Sequence, residues 1–394
     1  MSVTAADGFV AAGIACGIKV SGDPDLSLVV TADHRPTPAA AVFTTNLSTA
    51  APVVTTRAHL AASGGMASGV ILNSGNANAA TGSAGRADAE RMCALVADEI
   101  GCDAAEVLVC STGLIGIPLD MAPIVAGVAP LAAALAGGPE AGVAAATAIM
   151  TTDTVTKETV VKGPTVDGGR FTVGGMAKGA AMLAPNMATM LAVLTTDAEA
   201  TPDQLQRALR AGVAESFNAL SVDGCTSTND TVIILASGRA GPVDRGALEA
   251  AVAEACASLA AQMAGDAEGA TKVVRVVVRG AASIEDAKLG ARGIAESALC
   301  KCSWYGQDPY WGRVVSELGS SGAAFDPDRV SVSYGGVTVC RDGIASPHDE
   351  HAVRDVMAAR HIELVADLGL GEGVAVILTN DLTHAYVDEN MGTS

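Results

Sequence analysis

Thr189 is the residue whose type and position best suit nucleophilic chemistry in this sequence. It follows a turn, Ala184-Pro185-Asn186, and opens an apolar run that continues through Leu194. Because Pro185 cannot donate to a strand ladder, the strand is predicted to start after it. The segment before the turn contains Lys178 among glycines that are expected to supply backbone freedom. We therefore predict a threonine nucleophile at the mouth of a buried strand.

Cleavage of the chain between Ala188 and Thr189 would supply the base that this nucleophile needs. None of the six histidines lies close in sequence to a candidate serine, threonine or cysteine. A new α-amino group at Thr189, with a pKa near ~7.7–8.0, can act as the general base. Lys178 would lower the pKa of that amine further, or hold a substrate carboxylate. On spacing alone, the alternative remains that Thr189 is an ordinary strand residue and Lys178 a surface residue.

Three further segments suit acyl chemistry. Ser111-Thr112-Gly113 follows the predicted strand Glu106–Cys110 and offers a hydroxyl and a glycine N–H for an oxyanion. Glu268, between small residues in GDAEGATK, offers a carboxylate to a substrate ammonium. The segment Asn73–Gly82, NSGNANAATG, reads either as a loop that lines a site or as a surface turn. Each segment also has an ordinary structural interpretation, as a strand end or a loop.

Composition narrows the class of protein. The chain has 394 residues, 49% of them hydrophobic, and a formal charge of −19, which argues against nucleic acid or an anionic membrane surface as partner. Nine scattered cysteines indicate neither a disulfide framework nor a zinc site, and no histidine pattern predicts a metal. The first 20 residues lack the pattern of a signal peptide, and no run is long enough to span a bilayer. We expect a soluble, cytoplasmic protein without a metal.

Periodicity predicts interleaved helices and strands, and therefore an α/β fold with mixed sheets covered by helices. Besides the strand after Pro185, strands are predicted at Leu26–Thr31, Ala39–Thr44, Gly69–Asn73, Glu106–Cys110, Val155–Lys162, Arg170–Val173, Thr231–Ala236, Lys272–Arg279, Val330–Tyr334, Val337–Cys340, Ile362–Ala366, Val374–Leu378 and Thr383–Val387. Helices are predicted at Ala87–Ile100, Leu119–Leu135, Ala141–Met150, Asp203–Phe217 with Thr201 as N-cap, Arg245–Ala264, Ile284–Cys300, Pro309–Leu318 and Asp349–Ala359.

The sequence around Thr189, GMAKGAAMLAPNMATMLAVLTTDA, is similar to the self-cleavage signature of the glutamate N-acetyltransferase (ornithine acetyltransferase) family. NSGNANAATG, VCSTGLIG, AIMTTDTVTKE, SFNALSVDGCTSTNDTV, GDAEGATK, DPYWGRV and AYVDEN resemble further blocks of that family in the same order. The resemblance thus covers nearly the whole chain. It implies the ornithine acetyltransferase (DmpA/ArgJ-like) fold, with mixed sheets stacked between helices.

The resemblance also implies an activity and an assembly. Cleavage before Thr189 would yield an α chain (1–188) and a β chain (189–394) that stay associated, usually as an α₂β₂ heterotetramer. Thr189 would take acetyl from N2-acetylornithine and pass it to glutamate in a ping-pong reaction of arginine biosynthesis. The enzyme itself carries the acetyl group, so no cofactor is implied, and acetyl-CoA stays open as a second acetyl donor.

The site residues carry over from the resemblance position by position. Thr112 and Gly113 match the oxyanion-hole pair. The substrate-binding set is matched by Thr152, Lys178, Thr189, Glu268, Asn390 and Ser394. The tail after Asn390 is one residue shorter than the usual ending, and Cys225 and Tyr310 replace the usual Asp and Asn. Alternative functions are an N-terminal-nucleophile amidohydrolase, a paralogue for another acylated amino acid, and an uncut paralogue that only binds amino acids.

Overall fold

A computed structural model of the protein describes residues 2–182 and 190–391, which fall into two compact units. The first unit comprises residues 2–182, 190–218 and 226–263, and the second comprises 219–225 and 264–391.

The strands are β1 (Phe9–Ile14), β2 (Leu26–Thr31), β3 (Thr37–Phe43), β4 (Met66–Ala67), β5 (Gly69–Asn76), β6 (Val107–Leu114), β7 (Lys157–Pro164), β8 (Arg170–Lys178), β9 (Leu191–Glu199), β10 (Leu220–Ser221), β11 (Thr231–Pro242), β12 (Val273–Ala281), β13 (Ser331–Tyr334), β14 (Val337–Arg341), β15 (Ile344–Ala345), β16 (His361–Asp367) and β17 (Gly373–Asn380). The helices are α1 (Ala51–Ala62), α2 (Gly82–Ile100), α3 (Met121–Ala133), α4 (Pro139–Ala148), α5 (Pro202–Ala214), α6 (Arg245–Gly265), α7 (Ile284–Glu296), α8 (Ala298–Tyr305), α9 (Trp311–Ser320), α10 (Glu350–Ala358) and α11 (His384–Glu389).

The first unit stacks two sheets face to face. A four-stranded sheet has the order β1-β2-β5-β6, and a six-stranded sheet has the order β4-β3-β11-β9-β8-β7. Val29 and Leu72 of the smaller sheet share one core with Val193 and Ile233 of the larger sheet. Helices α2 and α3 cover the other face of the smaller sheet, and α5 packs against β3 and β11 of the larger one. Strand β9 is enclosed in this way, and its first four residues, Leu191–Leu194, are apolar and buried.

The second unit contains a seven-stranded mixed sheet with the order β10-β17-β12-β16-β13-β14-β15. Its strand β12 is parallel to β16 and antiparallel to β17. Helices α7, α8 and α9 contribute Ile294, Trp304 and Leu318 to a core shared with Val276 and Leu364 of the sheet. The α/β prediction with mixed sheets and covering helices is confirmed in both units.

Local signals placed some helix boundaries well and others poorly. Thr201 caps α5 as predicted, and it forms a capping box with Gln204. The single helix predicted over Ile284–Cys300 is wrong, because Ser297 ends α7 and its side chain accepts from Cys300 N to begin α8. The strand predicted at Thr383–Val387 is also wrong: Thr383 caps the helix α11.

Backbone freedom was predicted for Gly174, Gly175 and Gly179; it is confirmed for Gly179, whose φ is +153°, and is wrong for Gly174 and Gly175. Both lie inside β8, and neither has a positive φ. A Cβ at Gly174 would lie 2.5 Å from the carbonyl oxygen of Ser2, and one at Gly175 would lie 2.5 Å from the Leu194 side chain. These glycines are therefore needed for close packing. Among the described residues, no helix is both long and apolar enough to cross a bilayer.

Candidate functional site

The start of β9 lies between two other strands of the six-stranded sheet. Lys178, the last residue of antiparallel β8, pairs with Leu191. On the other side, Thr231 at the start of parallel β11 also pairs with Leu191. The predicted cleavage site, Ala188 and Thr189, and the predicted turn before it lie outside the described residues. Met190, which follows Thr189 in sequence and precedes β9, is within the described residues.

Lys178 is buried beside the entry of β9, with 4% of its side chain exposed. Its Nζ donates a 2.6 Å hydrogen bond to Thr151 Oγ1 and lies 3.8 Å from Asp153 Oδ2. The alternative that Lys178 is a surface residue is therefore wrong. Sequence spacing missed this burial because it depends on the position of β8 inside the sheet.

Asp153 neutralises part of a buried cationic cluster. Its Oδ1 lies 2.7 Å from Nζ of Lys157, whose side chain is also fully buried. The carboxylate accepts further hydrogen bonds from the backbone N–H groups of Thr151 (3.0 Å) and Gly179 (2.7 Å). Burial by itself would raise the pKa of Asp153, but the charges of Lys178 and Lys157 and these hydrogen bonds lower it to about 2. The carboxylate therefore stays charged at neutral pH.

Thr112 and Gly113 lie near the end of β6, which continues to Leu114 beyond the predicted strand end at Cys110. Thr112 is buried, with 4% exposure, and pairs with Ser74 of β5. Gly113 has a φ of +133°, and a Cβ there would lie 2.2 Å from the carbonyl carbon of Gly75. Only glycine fits this combination of backbone angle and contact. We call Thr112-Gly113, the pair predicted to bind the oxyanion, the oxyanion turn below.

The segment Asn73–Gly82 lies beside the oxyanion turn and is hydrogen-bonded to the residue that follows it. Asn73 Nδ2 donates to the carbonyl of Asn76 (2.9 Å), and Asn76 Nδ2 donates to that of Ile117 (3.1 Å). The backbone N–H of Ala77 donates to the carbonyl of Leu114, the residue after the oxyanion turn (3.0 Å). Most of the segment is buried, so its interpretation as a surface turn is wrong. The Ala77 N–H therefore ties the segment to the end of β6, while the two asparagine side chains bind carbonyls outside that strand.

Sequence reasoning assigned no role to Asn229 and Asp230, which precede β11. Asn229 Nδ2 donates to the carbonyl oxygens of Ala77 (2.6 Å) and Ser111 (2.9 Å). Asp230 Oδ1 accepts from the backbone N–H of Met190 (3.0 Å). The signal that points to them is a pair of polar residues shortly before the apolar run Val232–Ala236 of β11.

The carboxyl of Asp230 is fully buried, at 0% exposure. Its second oxygen, Oδ2, has no hydrogen-bond donor within bonding distance in the described part of the chain. Burial raises the pKa of Asp230 well above its ordinary value, and the Met190 hydrogen bond, the nearby hydroxyls of Ser227 and Thr44 and the charge of Lys178 offset this only in part. A buried carboxyl with one unoccupied oxygen is a costly feature at the entry of β9.

The predicted substrate-binding residues divide between the two units. In the first unit Thr152 is exposed, and its neighbour Thr151 is the threonine that contacts Lys178. In the second unit Glu268 Oε2 accepts a 2.8 Å hydrogen bond from Asn390 Nδ2, so the structure brings these two residues together. Glu268 is largely buried, with 8% exposure. Ser394 lies outside the described residues.

The loop that carries Glu268 is tied to the last helix. Thr383 Oγ1 donates to the carbonyl of Gly269 (2.7 Å). A Cβ at Gly269 would lie 2.4 Å from the backbone nitrogen of Tyr386. Asn390 Nδ2 also donates to the carbonyl of Tyr386 (2.8 Å) at the end of α11. Across the described ranges, no three His, Cys, Asp or Glu side chains are grouped to hold a metal ion.

Comparison with known proteins covers the whole chain. The sequence profile of the ArgJ family matches residues 10–392. The chain is 50% identical over 402 residues to the arginine biosynthesis bifunctional protein ArgJ of Mycobacterium leprae, with 100% of this chain and 95% of that protein covered. Identity to the protein of the same name from Streptomyces coelicolor is 48% over 395 residues, with both chains covered completely.

Among solved structures, the arginine biosynthesis bifunctional protein argJ of Bacillus halodurans matches with 34% sequence identity and a TM-score of 0.49, over 50% of this chain and 97% of that chain. The ornithine acetyltransferase of Mycobacterium tuberculosis, solved with ornithine, matches with 47% identity and a TM-score of 0.43, over 47% of this chain and 94% of that chain.

Proposed function

This chain belongs to the ArgJ family, and from that membership we propose that it is a self-processing N-acetyltransferase that moves acetyl from N2-acetylornithine to glutamate in arginine biosynthesis. The full-length match to relatives carries the proposal. The structure adds the buried Lys178 beside the entry of β9, where a substrate carboxylate would find a fixed cation. All nine cysteines are free thiols, which suits a reducing cytoplasm.

Self-cleavage is the first step of the proposal. The hydroxyl oxygen of Thr189 attacks the carbonyl carbon of Ala188, a C–O bond forms, and the C–N bond between the two residues breaks. The proton of the hydroxyl passes to the departing nitrogen. Water then hydrolyses the ester, which leaves a carboxylate on Ala188 and restores the hydroxyl of Thr189 beside its new α-amino group.

The two products, 1–188 and 189–394, would remain associated because the sheet joins them. Strand β8 belongs to the first product and β9 to the second, and they are adjacent antiparallel partners. Strands β3 and β11 pair in the same way across the two products. Separating the products would expose these ladders and the core between the two sheets. We propose an α₂β₂ assembly built from such pairs.

Acetyl transfer follows on the same threonine. The α-amino group accepts the proton of the Thr189 hydroxyl, and the oxygen attacks the acetyl carbonyl of N2-acetylornithine. The Thr112 hydroxyl and the Gly113 N–H would donate to the resulting oxyanion, a contribution of about 10²–10³ in rate per donor. The C–N bond breaks, ornithine leaves with the proton, and the amine of glutamate then attacks the acetyl ester. Acetylglutamate departs, and the hydroxyl of Thr189 is restored.

The remaining residues of the proposal select amino-acid substrates. Lys178 would bind the α-carboxylate, and Glu268, oriented by Asn390, would bind the δ-ammonium of the ornithine side chain. Thr152 and Ser394 complete the proposed substrate-binding set. The acetyl group moves from one amino acid to another through the enzyme, so the reaction as proposed uses no cofactor. Acetyl-CoA is the second acetyl donor to be examined, because the relatives are named bifunctional.

The experiment compares the natural chain with Thr189→Ala and, as a matched control that keeps a hydroxyl, Thr189→Ser. The natural protein should give two fragments of similar size on a denaturing gel, the second beginning at Thr189. The alanine variant should stay at 39.1 kDa and transfer no acetyl, while the serine variant keeps part of both activities. A Thr189→Ala protein that is cut and active would refute the proposal. Free acetate in place of acetylglutamate would identify an amidohydrolase.

A further inference from the structure

Asn229 and Asp230 connect the two halves of the site in the first unit. Asn229 reaches toward β6, where its amide donates to the carbonyl of Ser111, the residue directly before the oxyanion turn. Asp230 reaches toward β9, where its carboxyl accepts from the N–H of Met190, the residue directly after Thr189 in sequence. Two adjacent residues thus bind both strand segments from which the proposed reaction is built.

The Asn229 side of this connection is rigid. Asn229 is buried, with 5% exposure, and its amide nitrogen donates both of its hydrogens, to Ala77 and to Ser111. Its backbone N–H donates to Ser227 Oγ (3.0 Å). Each of these groups is removed from water, so loss of the amide would remove two buried hydrogen bonds. The end of β6 is therefore tied to the entry of β11.

Asp230 and its neighbour Thr231 both bind the backbone of Met190. The neighbouring Thr231 N–H donates to the carbonyl of Met190 (3.1 Å), so both polar groups of the Met190 backbone are bound at the entry of β11. A carboxyl is not required to hold one N–H, and its fully buried Oδ2 accepts nothing from the described residues. A buried carboxyl, with the Ser227 and Thr44 hydroxyls nearby, thus binds the amide of the residue that follows the proposed nucleophile.

We propose that Asp230 is a positioning residue, which aligns the entry of β9 with the oxyanion turn through the amide of Met190. This inference rests on the proposed function, since Thr189 is attached to that amide by its own peptide bond. Asn229 fixes the other partner, because its amide binds Ser111 directly before the oxyanion turn. A misplacement of about 1 Å at a reacting group costs about 100-fold in rate, so a fixed amide has a measurable effect on chemistry.

The test uses the full chain with Asp230→Ala and the conservative Asp230→Asn, whose side-chain oxygen can still accept from the Met190 N–H. We expect Asp230→Ala to slow self-cleavage and acetyl transfer by about 100-fold per folded molecule, with KM changed by less than about threefold. Asp230→Asn should restore both rates to within about tenfold of the natural protein. Hydrogen exchange at the Met190 amide should become faster in the alanine variant than in the asparagine variant.

The matched control is Asp197→Ala, at the opposite end of β9. Asp197 is also a buried carboxylate that binds backbone amides, those of Thr172 (2.6 Å) and Asp7 (3.2 Å). Its loss should lower stability without changing either rate per folded molecule. Natural rates in Asp230→Ala, or equal losses in the alanine and asparagine variants, would overturn the positioning role while the proposed function stands. A natural protein that is neither cut nor active would refute the proposed function itself.

Discussion

Lys178 and Asp153 form a buried ion pair, with Nζ 3.8 Å from Oδ2, and Lys157 binds the other carboxylate oxygen at 2.7 Å. One carboxylate therefore serves two buried lysines at the entry of β9. Removing one partner of such a group leaves an uncompensated buried charge, which typically costs about 3–5 kcal/mol. The cluster links the proposed carboxylate-binding lysine to the stability of the first unit.

Asp153→Asn should destabilise the protein by about 3–5 kcal/mol at pH 7. The folded-state pKa of Asp153, about 2, lies below its ordinary value of 3.8, so its contribution is present above pH 4 and is lost as the pH falls toward 2. In the natural protein this lowers the free energy of unfolding by about 2 kcal/mol. The asparagine variant has no carboxyl at this position, so its stability lacks this dependence on pH. Urea unfolding between pH 7 and 2, in a Thr189→Ala background that keeps one chain, measures both effects.

The control for this measurement is Asp120→Asn, an exposed carboxylate whose side chain caps α3. Asparagine caps a helix as well as aspartate does, so its stability should change by less than about 0.5 kcal/mol. If the Asp153→Asn protein is as stable as this control, the buried cluster contributes little to the free energy of unfolding.

Gly113→Ala should disrupt the oxyanion turn. An added Cβ would lie 2.2 Å from the carbonyl carbon of Gly75 and 2.5 Å from Asn76 N, so backbone must move in addition to the cost of a positive φ. We expect a loss of about 3 kcal/mol or more in the free energy of unfolding, and acetyl transfer reduced by about 100-fold. Gly116→Ala is the matched control, because Gly116 has a φ of +83° with open space around it. It should lose only about 1–2 kcal/mol.

Glu268→Gln should weaken substrate binding while the fold is kept. The glutamine oxygen can still accept the Asn390 hydrogen bond, but the negative charge offered to a substrate ammonium is lost. A hydrogen bond between charged groups contributes about 1.5–3 kcal/mol, so kcat/KM for N2-acetylornithine should fall about 10–100-fold. Thermal unfolding should change little. The control is Glu389→Gln, which removes an exposed charge from the last residue of α11 and should leave the kinetics natural. If both variants have the same kinetics, Glu268 does not bind the substrate.

Lys301, in the second unit, should make a contribution to stability that rises with pH in the alkaline range. Its buried Nζ donates to the Val222 and Asn380 carbonyls and to Thr379 Oγ1. Burial lowers its pKa from 10.5 to about 8, against the opposing charges of nearby carboxylates. Between pH 8 and 10.5 the unfolded chain binds more protons than the folded chain, so this lysine's contribution to stability rises with pH, by roughly 3 kcal/mol in all.

The comparison that isolates this effect is Lys301→Met in the same uncut background. At pH 7 the variant should be less stable by about 1–3 kcal/mol, because three buried acceptors lose their donor. The difference in unfolding free energy between the natural protein and the variant should widen from pH 8 to 10. A difference that stays constant over this range would show that Lys301 titrates normally.

Many elements could be predicted from sequence because their signals are local. Strand β2 was predicted with its observed ends, and Thr201 was predicted as the N-cap of α5. The prediction of a strand at Thr383–Val387 failed because the Thr383 side chain accepts from the Tyr386 N–H and caps the helix α11. Strand β1 and helix α1 went unpredicted, and α1 has a weakly amphipathic sequence with no side-chain cap.

The sequence by itself determined the family, the α/β class and the candidate residues Thr112, Gly113, Lys178, Glu268 and Asn390, because motif blocks and periodicity are written along the chain. Only the tertiary structure decided that Lys178 is buried, that Glu268 meets Asn390 and that Asn229-Asp230 binds β6 and the residue before β9. The physical reason is that sheet order and strand register join residues far apart in sequence. Burial and hydrogen-bond partners follow from that register, which no local pattern encodes.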